Sequence, residues 1–215
     1  MKTVFLDRDG VINENHLNRG YVCTWSDFVF INNSLEAISI LSQNGFRIYI
    51  VTNQSGIARG FFTEKQLSET HARMIDAIQY AGGHIEKIYY CPHHPDDDCE
   101  CRKPKPGMLH QAAKDNNIDL SVTYFIGDSS TDIEAAAAVG AIPFLVLTGH
   151  GHKTYKAYDK DDNSNTLIKP LKVFTNLYTA SKWLVLSQHT IVGRDSEIAP
   201  TESWINIVQD MSEKR

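Results

Sequence analysis

Lys2-Thr3-Val4-Phe5-Leu6-Asp7-Arg8-Asp9-Gly10 decides the fold. A short apolar run, Lys2 to Leu6, stops abruptly at Asp7-Arg8-Asp9-Gly10, which reads as a buried strand delivering two carboxylates to its carboxyl end. Working outward, the pattern repeats. Ser34 is placed to cap a helix through Leu35, Ala37, Ile38 and Leu41 that stops at Asn44-Gly45. Phe46 to Val51 is a second strand and is followed by Thr52-Asn53-Gln54-Ser55. Thr63-Glu64-Lys65-Gln66 is a capping box opening a helix to about Ala81. Ile85 to Tyr90 is a third strand, followed by Cys91-Pro92-His93. Gly107 to Asn116 reads as a helix, Thr123 to Ile126 as a fourth strand, followed by Gly127-Asp128, Ser130 to Val139 as a helix and Ile142 to Leu147 as a fifth strand. Val173 opens a last strand and Leu177 to Leu186 a last helix, with a polar loop at Asp159 to Asn165 and a surface or partner-contacting helix at Thr201 to Met211. Strands alternating with helices imply crossover connections. The expected fold is therefore α/β: a three-layer, Rossmann-like parallel sheet with helices on both faces and a loop insertion at residues 91–101. In such sheets functional side chains gather at the carboxyl ends of the strands.

The residues there are polar and reactive. Asp7 and Asp9 are two apart, so in an extended chain both carboxylates point the same way. Two close carboxylates need a cation between them or a shared proton, and a hard ion such as magnesium suits oxygen ligands. Asp128 supplies another oxygen, with Asp132 behind it. Thr52 offers a hydroxyl, Lys103 a positive charge, and the Asn53 to Gly56 turn a row of amides that could cradle phosphate. Cys91, His93, Cys99 and Cys101 make a tetrahedral Cys₃His set, the closed pattern of a structural zinc site; His94 is the rival imidazole. Cys23 reads as a free thiol.

Bulk properties bound the reading. The chain has 215 residues, 42% apolar and 22% charged, enough for one core. A formal net charge of −5 offers no broad basic field to a nucleic acid. Asp7 falls too early for a secretory apolar core, and no stretch has the length of a membrane helix. The expectation is a cytoplasmic monomer with neither nucleic-acid nor membrane partners. The domain is expected over 1–188, with an extension of unassigned role at 189–215.

The strand-plus-Asp7-Arg8-Asp9-Gly10 motif, Thr52, Lys103 and Gly127-Asp128-Ser129-Ser130-Thr131-Asp132 resemble the haloacid dehalogenase superfamily of phosphatases from about residue 3 to residue 148. The resemblance implies that Asp7 attacks phosphorus, that Asp9 protonates the leaving oxygen and then activates water, and that Asp7, Asp9 and Asp128 hold magnesium while Thr52 and Lys103 stabilise the phosphoryl group. Val51 to Gly60, Cys91 to Pro95 and Cys99 to Met108 are similar to one family within it, the D-glycero-D-manno-heptose 1,7-bisphosphate 7-phosphatases of nucleotide-activated heptose (lipopolysaccharide core) synthesis. That likeness implies a small sugar phosphate as substrate, contacted by Asn18, Arg19, Gly20 and Tyr21 on a flap, by Asn53, Gln54 and Ser55, by Ser129, and by Arg102 at a second phosphate. The stretch from Asp9 to Tyr21 is longer than the family pattern, and Ser129 stands where some members carry lysine. The rivals are a histidinol-phosphate phosphatase, a polynucleotide 3′-phosphatase and a zinc-stabilised binding protein without turnover.

Overall fold

The computed structural model describes residues 2–15, 20–160 and 168–191, without the side chains of 159, 160 and 188–191. The flap residues Asn18 and Arg19, most of the loop expected at Asp159 to Asn165 and the helix expected at Thr201 to Met211 lie outside the described residues. By its contacts the chain divides into Met1–Val185 and Leu186–Arg215; the site described below lies wholly in the first unit.

The described elements are β1 (Lys2–Leu6), α1 (Ser34–Gln43), β2 (Phe46–Asn53), α2 (Glu64–Tyr80), β3 (Lys87–Cys91), α3 (Gly107–Asn116), β4 (Tyr124–Gly127), α4 (Ser130–Ala138), β5 (Ile142–Val146), α5 (Gly151–Lys160), β6 (Lys172–Phe174) and α6 (Leu177–Ile191), with short 3₁₀ turns at Trp25–Asp27, Pro95–Asp97 and Leu120–Val122. The strands form a six-stranded sheet in the order β3-β2-β1-β4-β5-β6, and every pairing is parallel. Central strands covered on both faces need apolar side chains on both, which is why Val4, Phe5 and Leu6 are all fully buried. Alternation then sorts them. Val4, Leu6, Ile48, Ile50 and Ile126 share one core with Ile38 and Leu41 of α1, Met74 and Ile78 of α2, and Leu184 of α6. Phe5, Tyr49, Val51 and Phe125 share the other with Met108, Leu109 and Ala112 of α3 and Ala135 and Ala136 of α4. This is the expected three-layer arrangement.

Three local readings shift. The cap of α1 is Asn33, in the left-handed region at φ 64°, while Ser34 is the first helical residue, buried with its Oγ unpartnered. β3 starts later than expected and takes in Cys91, whose carbonyl accepts from the Gln54 amide. α5 is not among the expected elements: Gly-His-Lys-Thr-Tyr-Lys-Ala-Tyr is mostly polar, with few apolar residues to mark a helix, and its anchor is Tyr158, packed with Ile133 and Leu145. The Thr63–Gln66 capping box forms as the spacing predicts. Among the described residues no helix is long and apolar enough to cross a membrane.

Candidate active site and metal loop

The register of the sheet brings the strand ends together. Leu6 pairs with Ile50 on one side and Ile126 on the other, so Asp7 emerges between Val51-Thr52 and Gly127-Asp128. Carboxyl oxygens of Asp7, Asp128 and Asp132 lie within 4.8 Å of one another, all three residues buried. Lys103 enters from the loop after β3. Its Nζ lies 2.8 Å from Asp7 Oδ1 and 2.6 Å from Asp132 Oδ1, and it donates to the Val51 carbonyl at 2.8 Å. Burial alone would lower the Lys103 pKa, but the Asp132 and Asp7 carboxylates outweigh it and push it up. One ammonium does not neutralise three carboxylates. Burial first, and Asp132 and Asp9 after it, raise Asp7 to about 7 against the pull of Lys103. Burial, followed by Asp132 and Asp7, lifts Asp128 well above the usual carboxylate range. A cluster this short of positive charge is what a divalent cation with oxygen ligands would relieve.

The oxygens are not equally free. Asp132 Oδ2 accepts from the Ser129 amide (3.1 Å) and hydroxyl (2.6 Å), closing a capping box at the start of α4, and its Oδ1 faces Lys103. Ser129, expected at the substrate, spends its hydroxyl on this cap and on Thr131. Asp128 Oδ2 accepts from the His150 amide at 2.7 Å and lies 3.4 Å from Asn15 Nδ2. Glycines press around it: a Cβ on Gly10 or on Gly149, both at positive φ, would sit 2.0 or 2.1 Å from Asp128 Oδ2.

Asp9 departs from expectation. Its carboxyl is not part of the acidic group, because the chain stops being extended at Asp7. The amides of Val11, Ile12 and Asn13 all turn back onto the Arg8 carbonyl, and Gly10 sits at φ 89°. The argument from residues two apart holds only in a strand. Asp9 instead accepts from Arg8 Nη2 at 2.8 and 2.9 Å, from Asn13 Nδ2 at 2.8 Å and from Gln54 Nε2 at 2.8 Å. Burial would raise its pKa, but Arg8 and these amides hold it below the usual value. Among the described residues, the carboxyl oxygens that come together are those of Asp7, Asp128 and Asp132, while the Asp9 carboxyl is turned to Arg8, Asn13 and Gln54.

The remaining strand-end residues are used from the inside. Gln54 Nε2 bridges Asp9 and Thr52 Oγ1, the latter at 3.0 Å. Asn53 clamps the Lys103 backbone, donating to its carbonyl and accepting from its amide at 3.1 Å each. Tyr21 brings its hydroxyl 3.3 Å from Ser55 Oγ and packs against Phe61. Gly20 precedes it at φ 71°. Arg102 has a buried Nη1 with no hydrogen-bond partner.

On the 91–101 loop, the Cys91, Cys99 and Cys101 sulfurs and His93 Nδ1 all lie within 4.8 Å of one another. Sulfur separations are 3.2 to 3.5 Å; a zinc tetrahedron with bonds of about 2.3 Å has edges of about 3.7 Å. His94 is not the fourth donor, since its Nδ1 faces Asp96 and its backbone amide is capped by Asp97. Burial and the two neighbouring sulfurs push the Cys101 thiol up to about 12. Four crowded donors of this type fit a soft divalent ion.

Comparisons with known proteins show the family. A family model described as HAD-hydrolase-like matches residues 100–180. The D-glycero-beta-D-manno-heptose-1,7-bisphosphate 7-phosphatase of Pseudomonas putida is 48% identical over 154 residues, 72% of this chain and 87% of its own length. That of Neisseria meningitidis is 40% identical over 185 residues, 86% of this chain and 95% of its own. A crystal structure of D,D-heptose 1,7-bisphosphate phosphatase from B. bronchiseptica, complexed with magnesium and phosphate, superposes with a TM-score of 0.80 at 37% identity, covering 87% of this chain and 99% of that one. At these identities and coverages the chain belongs to the haloacid-dehalogenase-like phosphatases, in the family of the heptose 1,7-bisphosphate 7-phosphatases.

Proposed function

We propose that this chain removes the 7-phosphate of D-glycero-D-manno-heptose 1,7-bisphosphate, through an aspartyl-phosphate on Asp7, in the synthesis of nucleotide-activated heptose. The observation that carries the reading is the coincidence of relatives of that name along most of their length with a buried Asp7 held by Lys103 beside Asp128. Asp7 Oδ attacks phosphorus, and the bond from phosphorus to the sugar oxygen breaks. Asp9 gives its proton to that oxygen. Arg8 favours the ionised form of Asp9; an entering phosphate brings negative charge and raises its affinity for a proton. Once the sugar has left, Asp9 takes a proton from water, the water oxygen attacks phosphorus, and Asp7 is released with inorganic phosphate. Lys103 and Thr52 face the phosphoryl oxygens. Asp7 and Asp128 have the freer oxygens and would hold magnesium, with Asp132 keeping Lys103 in place; the bound ion would neutralise charge on the transferring group. Asn53 acts by fixing Lys103, and Arg102 takes the second phosphate with an unspent N–H. Cys91, His93, Cys99 and Cys101 would hold zinc in a closed, structural site.

The decisive experiment is a substrate panel with magnesium. The expected ranking places heptose bisphosphate well above histidinol phosphate and a 3′-phosphorylated oligonucleotide. A preference for histidinol phosphate would overturn the substrate while leaving the chemistry.

A further inference from the structure

Behind Asp9 lies a second tier of contacts that the reaction scheme does not use. Arg8 is the largest of the fully buried side chains, 1% exposed. Its Nη2 grips both oxygens of Asp9, and Nε adds a longer contact at 3.3 Å. That leaves Nη1, which lies 3.1 Å from Nε2 of His71 on α2. A guanidinium has donors only. The ring nitrogen facing it must therefore be the bare one, so His71 is a neutral imidazole with its proton on Nδ1. Burial, reinforced by the Arg8 charge and opposed by Asp9, lowers its pKa to about 3, which keeps it an acceptor at any ordinary pH.

We infer that His71 is a positioning residue for hydrolysis: by accepting from Arg8 Nη1 it fixes the plane of the guanidinium, which aims the Asp9 carboxylate at the reacting phosphate. The inference rests on the assignment of Asp9 as acid and base. Its physical basis is geometric. A fork grips a carboxylate only when the two planes are aligned, and a guanidinium held at one corner can swing about its Cδ–Nε axis. Asn13 and Gln54 each hold one oxygen of Asp9, and the corner held by His71 lies on the far side of the fork. The opposing view is that His71 fills space. It is 7% exposed, meets Tyr90 edge-on at 6.1 Å, and lines a groove of about 330 Å³ with Leu67, Ile75 and Ile88. A filler should be replaceable by an apolar side chain at no cost to turnover.

The test is kcat and KM on heptose bisphosphate for His71→Leu and His71→Gln, each alone and combined with Arg8→Met. Gln places an amide oxygen at a reach similar to Nε2; Leu supplies volume without an acceptor. His71→Leu should lower kcat about tenfold, a part of the ~10²–10⁴-fold carried by a general acid–base group, with KM unchanged within about twofold. His71→Gln should recover most of that loss. With Arg8→Met in place, His71→Leu should lower kcat no further, because its effect travels through Arg8. Equal kcat for the Leu and Gln variants would overturn the inference, and so would an undiminished loss in the Arg8→Met background. If His71→Leu does not fold, His71→Met serves as the apolar variant. If Arg8→Met does not fold, Arg8→Lys replaces it, since an ammonium has no fork. Asp9→Asn is measured alongside. A fully active Asp9→Asn would sink the underlying reading, whereas an inactive Asp9→Asn beside an unaffected His71→Leu would sink only the inference.

Discussion

The aspartate cluster and the thiol loop solve the same electrostatic problem in opposite ways. Each crowds like donors within 4.8 Å. The aspartates come from two distant points of the sequence, Asp7 after β1 and Asp128 with Asp132 after β4, and meet because the sheet sets those two strand ends side by side. The thiols and imidazole come from one short loop and need almost no fold to meet. The aspartates share a buried lysine, and some of their oxygens are uncommitted; the loop presents four donors, which close a tetrahedron with no place for water. A site assembled by the fold and left open can hold an ion and exchange a ligand. A site assembled locally and closed can hold an ion and order a segment, here the one that leads directly to Arg102 and Lys103.

The contrast is tested first by Asp7→Asn. An amide is no nucleophile, so turnover should fall by more than ~10²-fold, the lower edge of what even acid–base groups carry, while the melting temperature stays level or rises as a buried charge disappears. Retention of a hundredth of the activity would place the nucleophile elsewhere. Cys99→Ser should do the reverse. Zinc, about one per chain in protein purified without added metal, should be lost, and the melting temperature should drop by several degrees because ion binding is coupled to ordering of the loop. A zinc-free chain of full stability would end the structural role.

A smaller effect joins the two regions. Arg102→Ala should lower kcat/KM for heptose bisphosphate by about ten- to a hundred-fold, the worth of a contact of ~1.5–3 kcal/mol, and much less for a monophosphate lacking the second group. Equal losses would move Arg102 to the reacting phosphate. The smallest effect is in pH. Asp7 has its pKa raised to about 7, so the folded chain holds a proton that the unfolded chain has lost above about 3.9. Its contribution to stability is complete below that value and disappears as pH rises through about 7. Without divalent ions the melting temperature of the native chain should fall by a few degrees from pH 5 to 8, and that of Asp7→Asn should fall less. Saturating magnesium should restore the native chain and not the variant; identical pH curves would show that Asp7 is not strained by its burial.

What could be read in the sequence was whatever is local. The strand ending at Asp7, the Thr63–Gln66 cap and the Cys91–Cys101 spacing need only a few neighbours, and all three are in the structure as geometry. The direction of a side chain beyond a strand end is not local. Asp9 was read as lying beside Asp7 because period two was carried one residue past the last extended position, and the turn onto the Arg8 carbonyl sends it to Arg8, Asn13 and Gln54. Arg8, between two aspartates, carried no signal of its own. Neither did His71, which sits 63 positions further along. The partners of Asn53 and Ser129 within the fold, the Lys103 backbone and the α4 cap, are likewise not legible from residue type. α5 is hard to read because its segment is mostly polar and little beyond Tyr158 anchors it to the core.

The glycine pair around Asp128 sets how this site can change over generations. Gly10 and Gly149 leave a slot one carboxylate wide, and a side chain at either position would land on Asp128 Oδ2. Gly149 is doubly confined, because its Cβ would also come within 2.5 Å of the Gly10 Cα. No single replacement at one position makes room for a replacement at the other, so the usual stepwise route through tolerated intermediates is closed. Variation at this site then has more room at an exposed position such as Phe61 than at these two glycines. A library randomised at Phe61 should yield folded variants; the same library at the two glycines should return almost nothing but the parent.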